Sequence, residues 1–138
     1  MVAGKREPSF KGLIAWQKAD RLVDLVFEVA EALPSRLGWL ASQALRSAVS
    51  VTANIAEGYG RGSLGDYLRF LEIARGSLNE LECYLMLISR RRLVGSSLAA
   101  EVESAHAEAG RVLTGLYQAT RRKNKDTWDR FGRNSNPK

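Results

Sequence analysis

Seven residues, Tyr67, Leu71, Ala74, Leu78, Leu81, Leu85 and Ile88, recur at alternating spacings of four and three. A strand cannot use that pattern, because its side chains alternate faces, whereas positions three and four apart lie on one side of a helix. The spacing predicts a helix from Leu64 to Arg92, with Ser63 capping its free amides and Asp66 three residues on. An isolated helix is marginal in water, so a stripe this long calls for other helices to cover it.

The rest of the chain supplies three. In the first helix Ala15, Ala19, Leu22, Val26, Val29 and Leu33 repeat the step, until Pro34 removes an amide and stops it. Its polar side is acidic, with Asp20, Asp24, Glu28 and Glu31. The second is expected from Trp39 to Glu57 on Ala41, Leu45, Ala48, Thr52 and Ile55, flanked by the small Ser42, Ala44, Ser47 and Ala53. Gly58 reads as its C-cap, with Gly60 and Gly62 preventing continuation. Gly95 precedes the fourth, capped by Ser96 or Ser97, where Leu98, Val102, Ala105, Ala109, Val112, Leu116 and Ala119 keep the rhythm. Short connections make consecutive helices antiparallel, so the fold class is all-α: an up-down antiparallel four-helix bundle. Trp16, Val23, Phe27 and Ala30 widen the first apolar face, and Leu64, Leu68, Phe70, Ile73 and Leu87 the third. Such faces thicken the core or meet another subunit.

After Thr120 the apolar pattern dissolves. The chain divides into an N-terminal extension (1–12), the bundle (13–120) and a basic tail (121–138) that reads as mobile. The charge is divided the same way. Residues 121–138 carry seven basic groups against two acidic ones, a net +5, while residues 1–120 total +1. The basic groups Arg121, Arg122, Lys123, Lys125, Arg130 and Arg133 alternate with Trp128 and Phe131, a mixture suited to pairing with phosphates and stacking on bases. The bland alternative is a solvated, solubilising terminus. Arg61 and the Arg90–Arg92 cluster are secondary candidates, with Arg46 and Arg69 to be tested if binding lies in the bundle. The single cysteine, Cys83, cannot form an intramolecular disulfide. With no apolar leader or membrane-length run, a cytoplasmic location is expected.

Candidate chemistry is sparse. A bundle di-iron centre needs two Glu-x-x-His units, and Glu103-x-x-His106 uses the chain's one histidine. A solvated surface pair is the better reading, with no metal and no cofactor. Cys83 is expected to be a small packed side chain beside the Leu81–Leu85 stripe, and Glu80 and Glu82 polar-face groups. Gly58-Tyr59-Gly60-Arg61-Gly62 lacks the strand and the lysine of nucleotide loops. It reads as a turn, or as an anion site formed by Arg61 and the amides opening the third helix. Gly76, inside that helix, suggests a crossing too tight for a Cβ. No catalytic constellation emerges.

Ala48 to Arg61, AVSVTANIAEGYGR, resembles a bacterial family of four-helix-bundle proteins first found in intervening sequences of large-subunit ribosomal RNA genes. The likeness extends through Ile14–Ala19, with Trp16, through Ser42–Gln43, and through Phe70–Glu82, and covers residues 12 to about 118. Its motif positions are Trp16, Asn54, Glu57, Gly58, Gly60, Arg61, Gly76, Ser77 and Glu80. The resemblance implies a ring-like homopentamer and, through similarity to the accessory protein of diversity-generating retroelements, contact with nucleic acid and a partner protein. This chain departs from the family in carrying Leu45-Arg46 where paired arginines are usual, and in its near-neutral bundle. The expectation is a non-catalytic, self-assembling bundle that binds RNA or DNA through its tail. The alternative is a protein–protein adaptor with no nucleic-acid affinity.

Overall fold

The computed structural model describes residues 8–132. Four helices carry it: α1 (Ile14–Ala32), α2 (Gly38–Tyr59), α3 (Leu64–Arg90) and α4 (Ser96–Phe131), with no strand among the described residues. α1 meets α2 and α4, and α3 meets α2 and α4, while neither diagonal pair comes into backbone contact. This is the square cross-section of an up-down antiparallel bundle. Short 3-10 turns at Phe10–Gly12 and Ser35–Leu37 lead into α1 and α2.

The α1 and α3 stripes bury as their spacing requires. Ala15, Ala19, Leu22, Val26, Val29 and Leu33 face Leu71, Ala74, Leu78, Leu81, Leu85 and Ile88 across one core. The widened faces divide: Trp16, Val23 and Leu87 pack against the core, whereas Phe27 and Ile73 stay exposed. In α2 the buried lane is Leu40, Ala44, Ser47, Ala48, Val51 and Ile55, which corrects the expected Ala41, Leu45 and Thr52 by one position. Two interleaved lanes compete there, and the one taking Leu40 and Val51 inside wins. In α4 the lane follows Val102, Ala105 and Ala109 but then passes to Leu113 and Thr120, leaving Val112 and Leu116 half-buried. A straight helix drifts about 20° per heptad against a strict seven-residue repeat, enough to move the buried line over by one residue.

The helix ends hold further corrections. α2 continues through Gly58 to Tyr59, and its cap is Gly60 in right-handed conformation. The left-handed residue is Arg92, φ 53°, where α3 closes with the Leu93 amide donating to the Ile88 carbonyl. Ser63 does cap α3, accepting from the Asp66 amide, but α4 opens from Gly95 without a side-chain cap. Most consequentially, α4 does not end near Thr120. It runs on as helix to Phe131, 36 residues or about 54 Å. Residues 121–131 contain neither Gly nor Pro. Extending an existing helix avoids the nucleation step that makes short helices unfavourable.

Candidate nucleic-acid interface

α4 outgrows the bundle at a definite place. Along the α3–α4 seam, His106 Nε2 donates to the Leu78 carbonyl (2.8 Å) and the Tyr117 hydroxyl to Glu72 (2.7 Å). Moving forward on α4 therefore moves backward on α3, and the first turn of α3 is used up near Asn124. Beyond that point α4 overhangs. Arg121, Arg122 and Lys123 lead up to the overhang and Lys125 and Arg130 lie on it, all exposed, with Trp128 72% and Phe131 65% accessible. Arg133 lies outside the described residues.

The α2–α3 turn shares this end of the bundle. Arg61 pairs with Glu57, and its guanidinium sits 4.8 Å from the centre of the Phe70 ring. Arg69 approaches the same ring at 4.5 Å. Phe70 thus carries two cations, of which Arg69 has no carboxylate partner among the described residues. Arg75 covers the Tyr117 ring at 4.6 Å. The Arg90–Arg92 cluster belongs elsewhere. It sits at the far end of α3, about 40 Å along a helix of 27 residues, so it cannot share one contact with Arg61.

The motif residues sort into structural pairs. Asn54 donates to the Ser50 carbonyl (2.7 Å) and hydroxyl (3.1 Å), and the Ser50 hydroxyl lies 2.8 Å from that of Ser77. This chain ties α2 to α3 through Ser50, which sequence reasoning passed over. Gly58 is buried at their closest approach, where a Cβ would fall 2.8 Å from Phe70 Cβ and 2.9 Å from Tyr67 Cδ2. Trp16 meets Phe10 edge-on at 5.2 Å, and Glu80 accepts from the Tyr84 hydroxyl at 2.7 Å. Gly76 meets no tight crossing within the chain, since nothing lies within 4 Å of its would-be Cβ. Cys83 is exposed, a packed role being ruled out by its place on the outer side of α3. His106 is not a solvated partner of Glu103: it is half-buried and committed to Leu78.

Ionisation follows the same local logic. Burial, with Tyr59 beside it, pushes the Tyr67 hydroxyl up, and that hydroxyl has no partner among the described residues. Hydrogen bonds to carboxylates raise Tyr84 (to Glu80) and Tyr117 (to Glu72), while the bond from Lys18 lowers Glu108. Among the described residues no three His, Cys, Asp or Glu side chains gather to hold a metal, and no helix is long and apolar enough to cross a membrane. The α3–α4 seam opens into a groove of about 640 Å³ over Arg75, Gly76, Asn79, Glu82 and Gly110.

Known proteins place the chain. No curated protein matches it. A solved structure from Bacteroides thetaiotaomicron, a protein of unknown function from the S23 ribosomal protein family, has the same fold. It is 23% identical with a TM-score of 0.70, over 75% of this chain and 98% of that one. Residues 11–115 match the family described as 23S rRNA-intervening sequence protein, which ends before the overhang. The chain belongs to the 23S rRNA-intervening sequence protein family.

Proposed function

We propose that this is a non-catalytic, self-assembling module of the cytoplasm that binds RNA or DNA through phosphate contacts at the overhanging end of α4. The observation that carries the reading is the position of the charge. The five exposed cations of residues 121–131 follow Thr120, the last buried residue of α4, at the same end of the bundle as Arg61 and Arg69. A rigid basic helix loses less freedom on meeting a polyanion than a floppy arm would. Self-assembly draws on the outer lane of α3, where Ile73 is exposed and Gly76 has no neighbour within the chain. A glycine left open inside a helix costs about 1 kcal/mol, and packing against a second copy would account for it. Assembly as a homopentamer corresponds to about 77 kDa for the 15.3 kDa chain, readable by light scattering. The adaptor reading, in which a partner protein replaces nucleic acid, rests on the exposed Phe27, Ile73 and Met86.

Deleting residues 121–138 tests the choice. Affinity gained by counterion release falls with salt, with a log–log slope of about −0.9 per duplex phosphate neutralised. The truncated chain should keep its helical signal and mass while losing most affinity and most of that slope. Full-length protein that binds neither RNA nor DNA at low salt would leave the adaptor reading standing. Unchanged affinity after truncation would move binding to Arg46, Arg61 and Arg69.

A further inference from the structure

We propose that the end of α4 forms a seat for one unpaired nucleobase, with the Trp128 indole as its stacking surface; this rests on the nucleic-acid reading above and narrows it to single strands. The indole lies against the backbone at the end of the helix. A Cβ on Gly132 would fall 2.9 Å from Trp128 Cδ2, 3.0 Å from Cε2 and 3.3 Å from Cε3. Cδ2 is a ring-fusion carbon bonded to three other ring atoms, so the closest approach to it comes through the face of the ring. One face of the indole therefore rests on the backbone at residue 132, and a Cβ there would push the ring away. The ring is nevertheless 72% exposed, so its other face looks outward.

The surroundings fit a base better than a greasy partner. Asn124, Thr127, Trp128, Phe131 and Gly132 line a shallow depression of about 320 Å³. The Thr127 hydroxyl is committed to the Lys123 carbonyl (2.8 Å), but the half-buried Asn124 amide makes no hydrogen bond among the described residues. An amide offers both a donor and an acceptor to a base edge. At 100° per residue, Asn124, Thr127, Trp128 and Phe131 share one side of the helix. Arg121 and Lys125 fall on one flank of that lane, Lys123 and Arg130 on the other, and Asp126 and Asp129 on the opposite side. Cations on both flanks with carboxylates turned away suit a ligand whose phosphates bracket an exposed ring. Duplex bases already stack on one another, so a strand with unpaired bases is the matching ligand.

The test uses the full-length protein, a labelled oligouridine of about 12 nucleotides and a blunt duplex of equal length. The single strand should bind at least about ten-fold tighter than the duplex at equal salt. Trp128→Ala should weaken single-strand binding about ten-fold, leaving duplex binding and the salt slope unchanged, and Trp128→Phe should restore most of it. Gly132→Ala, which displaces the ring without removing it, should resemble Trp128→Ala. Circular dichroism and mass checks on these exposed variants separate binding from folding. Equal affinity for both ligands, or a Trp128→Ala variant that binds the strand normally, overturns the seat and leaves the charge reading intact. Binding to neither ligand sinks both. Binding only to phosphatidylserine vesicles, abolished by Trp128→Ala, would assign the ring to a lipid surface and overturn the proposal.

Discussion

Gly58 and Gly76 both lie inside helices of this bundle, and replacing each by alanine should move stability in opposite directions. A Gly→Ala change in a helix interior gains about 1 kcal/mol of helix propensity if the added methyl meets nothing. At Gly76 it meets nothing within 4 Å, so Gly76→Ala should raise the stability of the folded subunit by about that amount. At Gly58 the methyl would sit 2.8 Å from Phe70 Cβ, an atom fixed to the backbone, and 2.9 Å from Tyr67 Cδ2. Relief requires α3 to move away from α2, straining the Asn54–Ser50–Ser77 hydrogen bonds a few turns away. Overpacking of this kind costs ~1–3 kcal/mol, which exceeds or cancels the propensity gain, for a net loss of up to about 2 kcal/mol.

The assay is urea unfolding of both variants beside the parent, with midpoints compared at constant slope. Gly58→Ala should fall below the parent and Gly76→Ala rise above it. If Gly58→Ala stabilises as much as Gly76→Ala, the α2–α3 approach does not depend on the missing Cβ and the packing argument is refuted. Mass measured on the same samples adds a second reading. If copies of the chain pack over Gly76, the Gly76→Ala subunit gains helix propensity while its assembly weakens. A lighter particle with a more stable subunit would mark Gly76 as an interface residue.

Tyr67 and Arg92 yield two smaller predictions. Tyr67 buries a hydroxyl with no partner among the described residues, so Tyr67→Phe should hold or gain up to about 1 kcal/mol. Its ionisation lies above the ordinary value of 10.0, so its contribution is full below that pH and lost as pH rises through the folded-state value. Alkaline unfolding curves should show a shallower loss for the phenylalanine variant, and an identical loss would refute the assignment. Arg92 holds φ 53°, where a side chain is strained and glycine is at ease, so Arg92→Gly should raise the melting temperature by a few degrees, equivalent to about 1 kcal/mol. A lower melting temperature would mean that the arginine's contacts outweigh the strain.

The stripes of α1 and α3 were legible because they contain large residues with one consistent phase. Where small residues dominate, legibility fails for a physical reason. Between Gly38 and Tyr59 alanine and serine fill both candidate lanes, and their burial differs too little to mark one as the core. Gly58 looked like a helix terminator because glycine serves both left-handed caps and close crossings. Only the position of Phe70 and Tyr67 tells them apart. Gly76 shows the reverse ambiguity, being open within the chain. Cys83 and His106 exchanged their expected environments because each lies a single helical step from the core lane, so a small rotation decides between solvent and neighbour.

The candidate site was half legible. Its cations and both aromatics stand out in the sequence, but their arrangement depends on residues 121–131 being helical, and polar composition argued for a coil. A coil would let each aromatic act alone. The helix instead aligns Trp128 and Phe131 with Asn124 and Thr127, and turns Asp126 and Asp129 away. That geometry comes from continuity with the bundle: Val102, Ala105, Ala109, Leu113 and Thr120 lie on the same side of α4 as the aromatic lane. Packing against α1 and α3 therefore fixes the rotation of α4, and the rotation of α4 fixes which residues the overhang presents. A substitution that twists α4 within the bundle, far from any cation, would re-aim the whole overhang, so binding and packing are coupled through one continuous helix.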